Sequence, residues 1–193
     1  MNSLIISFVV GGILLLSILA FNQMVMDNQK EMTLGATTQE NLNNVVELIT
    51  NDFNKIGYRA PSTPISRLDS TDFIFIADLY DDDTYGAQQV RWFWDKSNAH
   101  TLSSNPNDYM LERTGPVSST AQGTVEIPVT YFKVRYLDAN SVQTSNPTLV
   151  RRVEVEVIVE APEPHRYDSD GNGVFYRSAW KRTFVPNNIN LPY

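Results

Sequence analysis

No cysteine occurs among the 193 residues. That absence removes disulfides, thiolate metal sites and cysteine nucleophiles together. It leaves the compartment open, because an exported protein need not carry disulfides. Cations are also scarce: 15 Lys and Arg stand against 22 Asp and Glu, a net charge of −7. Phosphate binding wants clustered Lys and Arg, so no nucleic-acid partner is expected. There are two histidines, His100 and His165, both in polar or proline-rich stretches. Neither has a Ser or Cys partner in a recognisable motif, and both read as solvent-exposed loop residues. No P-loop, dinucleotide fingerprint, H-E-x-x-H or G-x-S-x-G occurs, so neither an enzyme nor a required cofactor is expected. The first 21 residues hold no charged side chain, and no proline precedes Pro61.

What fills those gaps is a long apolar start. Leu4–Phe21 holds 18 residues without a charge. As a helix it spans about 27 Å, close to the ~30 Å hydrocarbon core of a bilayer. A cleaved signal would carry Lys or Arg ahead of the run and a small-x-small site after it. The opening Met-Asn-Ser has no such charge, and the sequence up to Ala20 is a poor site. An uncleaved anchor over residues 1–22 is therefore expected. From Leu42 the apolar residues fall at 42, 45, 46, 49, 53 and 56, widened by Leu48. These steps of three and four predict an amphipathic helix over 23–58 that continues the apolar one. Gly35 weakens it locally. Gly57 suits a left-handed C-terminal cap, and Pro61 prevents a restart.

Beyond residue 58 the period changes to two. Residues 58–71 read as a loop. Strands are expected at Phe73–Ala77, Val90–Asp95, Tyr109–Arg113, Val125–Leu137 and Val153–Glu160, with a last one within Gly173–Pro186. In the fifth, Val153, Val155, Val157 and Val159 alternate with charged residues, the pattern of a half-wet antiparallel sheet. Turns fall at 81–86, 103–108, 138–147 and 162–173. The expected fold class is α+β: a long N-terminal helix packed on a C-terminal antiparallel β-sheet head spanning 59–193.

Little chemistry stands out. Asp168, Asp170 and Asn172, with Gly171 and Gly173, place oxygens at positions one, three and five of a calcium-type loop. Ala179 stands where an EF-hand has its bidentate glutamate, and no helices flank the segment, so an EF-hand is rejected. The two readings are a calcium site completed by remote residues and a turn joining two strands. Asp78 and Asp81–Asp83 form a second acidic cluster, read as a solvated loop. Trp92 and Trp94 share one strand face and, with Trp180, read as core packing rather than a stacking platform. Asp52, near the end of the helix, is a candidate for a polar contact with the head or with a neighbouring subunit. Gly11 and Gly12 inside the apolar run allow close approach of another helix.

Taken together, the apolar helix, the ending Leu48-Ile49-Thr50-Asn51-Asp52-Phe53-Asn54-Lys55-Ile56-Gly57-Tyr58 and the order of strands resemble a known family. It comprises the W-type minor pilins of type IV pili and the J-type pseudopilins of type II secretion. The similarity extends to Leu111-Glu112-Arg113, to Val129–Asp138, to Arg151–Val159 and to the closing stretch from Arg182. Ser3, Leu4 and Ile5 match part of the family's start, but Ile6 stands where the family has glutamate, and no glycine precedes it. The resemblance implies a non-enzymatic filament subunit. Its partners would be other pilin-like subunits, with the inner membrane holding it before assembly. The alternative is an anchored extracytoplasmic binding or adhesion domain that does not polymerise.

Overall fold

The structure, a computed structural model, describes the chain except for residues 1, 62, 82–85 and 191–193; the side chains of residues 2–5 and 190 are likewise outside the described set. A single helix, α1 (Asn2–Asn54), opens the chain. Its 53 residues extend about 80 Å at ~1.5 Å per residue. It runs without interruption through Gly35, where a Cβ would lie 4.0 Å from the Tyr176 ring. The helix stops at Asn54, and residues 55–59 form turns. Gly57 takes φ +79° and its N–H donates to the Ile76 carbonyl at 3.0 Å. A Cβ there would come within 2.8 Å of the Asn188 carbonyl oxygen. Both conformation and space therefore require glycine at this position.

Two antiparallel sheets follow. The larger has the order β1-β2-β3-β4-β5, from β1 (Ile65–Leu68), β2 (Asp72–Ala77), β3 (Gln88–Ala99), β4 (Tyr109–Pro116) and β5 (Gln122–Val129). The smaller has the order β10-β7-β6, from β6 (Tyr131–Leu137), β7 (Arg152–Glu160) and β10 (Arg177–Phe184). A two-stranded ribbon, β8 (Arg166–Tyr167) and β9 (Gly173–Val174), stands beside them.

Three expectations are corrected. Val125–Leu137 is not one strand: the chain leaves the larger sheet at Val129 and enters the smaller at Tyr131. Thr130 makes the corner, its N–H donating to the Ile158 carbonyl at 2.9 Å. The stretch 58–71 is not all loop, since β1 pairs with β2 across an irregular register at Ile65 to Arg67. The turn at 162–173 contains β8. The turn expected at 81–86 lies mostly outside the described residues.

One core joins all three layers. Leu42, Val45, Ile49 and Phe53 are buried on the face of α1 that the spacing predicted, with Val46 and Leu48 at its margin, and Ile56 is buried beside them in the turn that follows. Phe53 is the hub. Its ring lies 5.4 Å from Phe73 and 5.9 Å from Phe75 on β2, 6.2 Å from Trp92 on β3 and 5.4 Å from Phe184 on β10. Trp92 stacks on Phe132 of β6 at 6.2 Å, so the buried faces of the two sheets meet. Trp94 is buried as well, with its ring against Tyr109 and Tyr131.

Candidate functional site

Two parts of α1 with opposite surroundings make up the candidate site. In the first, every described side chain from Ile6 to Met24 is exposed, including Phe8, Leu14, Leu16 and Phe21. A single soluble chain rarely leaves so long an apolar surface uncovered. The segment is long and apolar enough to cross a membrane. Gly11 and Gly12 lie on its open surface, where an added Cβ would meet nothing within 4 Å.

The second part is the junction with the head. Asp52 is completely buried, and its partners come from two strands of the larger sheet. Arg113 on β4 donates through Nε to Oδ2 at 2.7 Å and through Nη2 to Oδ1 at 3.1 Å, a two-point clamp. Trp92 on β3 donates its indole N–H to Oδ2 at 3.0 Å. The remaining Arg113 nitrogen, Nη1, donates to the Pro116 carbonyl at 3.1 Å. Burial pushes the Asp52 carboxyl above its ordinary range, and the bonds and charge of Arg113, with the Trp92 bond, act against that. A buried carboxylate is tolerated only when its lone pairs are filled in this way. Asp52 was expected to make a polar contact with the head or a neighbour; within this chain it is the head that receives it. In the sequence Arg113 stands out only as the end of the short run Leu111-Glu112-Arg113. Nothing local in the sequence pairs it with a residue 61 positions earlier.

A second set of contacts ties the middle of α1 to the smaller sheet and to the segments that flank it. Tyr176 donates its hydroxyl to Glu31, Ser178 donates to Gln39 at 3.2 Å, and Lys30 pairs with Glu163 at 3.5 Å. These are exposed and mostly polar, unlike the core around Phe53.

The other sequence-predicted residues lie in local clusters away from this junction. Asp168 accepts the backbone N–H groups of Asp170 at 2.9 Å and Asn172 at 2.7 Å on Oδ1, and the Asn172 amide at 3.1 Å on Oδ2. These bonds hold its carboxyl below the usual carboxylate range. They close the turn between β8 and β9 through the chain's own donors. Among the described residues, no group of three or more His, Asp or Glu side chains is arranged to hold a metal. Of the second acidic cluster, Asp82 and Asp83 lie outside the described residues. Asp78 and Asp81 are bridged by Arg59 at 3.3 and 3.1 Å, and Tyr58 donates its hydroxyl to Asp81 at 3.0 Å. His100 and His165 are half-buried rather than fully exposed, and the His165 ring lies tilted against Tyr176 at 4.4 Å.

The chain matches no known family, no curated protein and no solved structure. Its architecture is nonetheless pilin-like: a long N-terminal helix, apolar in its first part, carries an antiparallel sheet head on its second part.

Proposed function

We propose that this protein is a structural, non-enzymatic subunit of a type IV pilus-like or type II secretion pseudopilus filament. Before assembly the apolar segment is held in the inner membrane, with the head outside the cytoplasm. On assembly the same segment leaves lipid for a bundle of equivalent helices. Apolar surface stays away from water in both states, so the transfer gains little hydrophobic energy. Close packing of helices supplies the difference.

The observation that supports this reading is the division of α1. One continuous helix is wholly exposed where it is apolar, yet buried and clamped through Asp52 where it meets the head. A head that merely needed a tether would not require its anchor helix as a core element. The test is a full chain with a surface label, expressed in a pilus- or pseudopilus-bearing host, followed by shearing and imaging of surface fractions. Labelled fibres support the proposal. A protein that stays monomeric in detergent and is missing from sheared fractions would instead be an anchored binding or adhesion domain.

A further inference from the structure

We propose that the head itself has a lipid-facing surface: Leu102 and Tyr167, grouped around Lys30, rest on the headgroup layer of the bilayer that holds α1. The inference rests on the membrane-anchored state of the reading above and adds a partner for the head, a zwitterionic phospholipid surface.

The orientation follows from contacts already described. Ser178 meets Gln39, whereas Tyr176 reaches Glu31 and lies against Gly35. Moving back two residues along the chain thus moves the contact down α1, towards the apolar segment. Glu160 pairs with Arg177 at that same end of the smaller sheet, while Val153 pairs with Phe184 at the far end. The loop before β4 is fastened to the near end. Ser104 donates to the Pro162 carbonyl at 2.8 Å, and the Asn105 amide donates to Glu160 at 3.0 Å and to the Ala161 carbonyl at 3.2 Å. That loop holds Leu102 at its tip, 91% exposed. Tyr167 on the ribbon is 69% exposed, and the two line one open groove with Lys30.

The depth agrees with a lipid contact. Lys30 lies nine residues beyond Phe21, about 14 Å along the helix. The polar headgroup layer is about 5–8 Å thick on each side. Helical side chains lean towards the N-terminus, so Lys30 reaches back along α1 towards the bilayer, and an ordinary transmembrane tilt of about 20° towards the head lowers this rim. An exposed leucine, a tyrosine with a polar tip and a long lysine are the side chains suited to a membrane–water boundary. The charges choose the lipid. Lys30 and Arg166 are outnumbered by Glu31, Glu163, Asp168 and Asp170, so the rim is not a basic patch drawn to anionic lipid.

The absence of cysteine makes the test direct. Single variants Leu14→Cys, Leu102→Cys and Val142→Cys take an environment-sensitive fluorophore; Val142 lies in the loop at the far end of the head. Each full chain is placed in phosphatidylcholine nanodiscs carrying quenchers at headgroup or acyl-chain depth. We expect the label at 14 to be quenched by acyl-chain quenchers. The label at 102 should be quenched by headgroup quenchers at least threefold more than the label at 142. Replacing a third of the lipid with phosphatidylglycerol should weaken the quenching at 102. Equal quenching at 102 and 142, with 14 still embedded, overturns the lipid-facing rim and leaves the anchor intact. No quenching at 14 overturns the anchor and the rim with it. A shielded label at 102 that responds to the number of chains per disc, and not to quenchers, assigns the surface to a second copy and also overturns the proposal.

Discussion

Asp52 concentrates the junction between helix and head in one carboxylate. Removing one member of a buried ion pair is costly because the other is left charged and dry. Asp52→Ala should therefore destabilise the full chain in detergent by about 3–5 kcal/mol in urea unfolding. Arg113→Met should act similarly. The double variant Asp52→Leu with Arg113→Met should recover part of the loss, since it removes both buried charges and leaves only neutral groups short of a bond, the Trp92 N–H and the Pro116 carbonyl, at about 1–3 kcal/mol each. Strict additivity of the two single losses would contradict the two-point clamp. Asp72 offers a pH signature of the opposite kind. The Arg91 bonds at 2.8 and 2.9 Å hold its carboxyl below the ordinary value against some desolvation, with further help from the Arg91 and Arg67 charges. A depressed carboxyl stabilises the fold above its unfolded pKa and loses that contribution as pH falls through its folded one. Asp52, pushed up by burial, works with the reverse sign. Asp72→Asn should thus flatten the fall in stability below about pH 4, as read by denaturant midpoints at pH 5, 4, 3 and 2. An unchanged slope would remove Asp72 from the acid response.

Among the elements, α1 was the most legible, because steps of three and four between Leu42 and Ile56 admit one geometry and one buried face. Its continuity through Gly35 was harder to foresee from a residue that weakens helices. The space there is sufficient for a methyl group, at ordinary contact distance from Tyr176. Gly35→Ala should raise stability by about 0.5–1 kcal/mol, measured by thermal or urea unfolding; a loss would show that Tyr176 needs the closer approach. The valines of β7 were equally plain. The β5–β6 boundary was not, because alternation continues from Val125 to Leu137 and only Thr130 changes its partner. Its N–H bonds to Ile158 instead of to the strand that β5 serves. The short β1 was hidden behind Pro61 and Pro64, whose local preferences say loop while pairing with β2 overrides them. The Asp52–Arg113 clamp was half legible. Each residue drew notice separately, but two charges 61 residues apart carry no periodicity that would join them. The turn at Asp168 shows the converse: within a ligand-like spacing, the Asp168 carboxylate accepts neighbouring N–H groups.

For the whole molecule, the apolar stripe decides whether stalk and head act as one body. Val45→Asp or Ile49→Asp would bury an unpaired carboxylate in the core, which the fold avoids by opening. Either variant should expose the junction to limited proteolysis near residue 57 and, on the proposed filament reading, abolish incorporation into fibres. Normal incorporation of both would separate filament entry from head docking. The same arrangement bears on synthesis. The seat for α1 is completed late in the chain, by β10, by Phe184 against Phe53 and by the Asn188 backbone against Gly57. At about 5–20 residues per second, roughly 7–26 s of translation separate the emergence of Gly57 from that of Asn188. During that interval the upper stripe of the helix has no home within its own chain, while the apolar base is already ready for lipid. On the proposed anchored reading, capture of the nascent rod by the membrane thus has a head start over docking of its cap, by a margin written into the distance between residues 57 and 188.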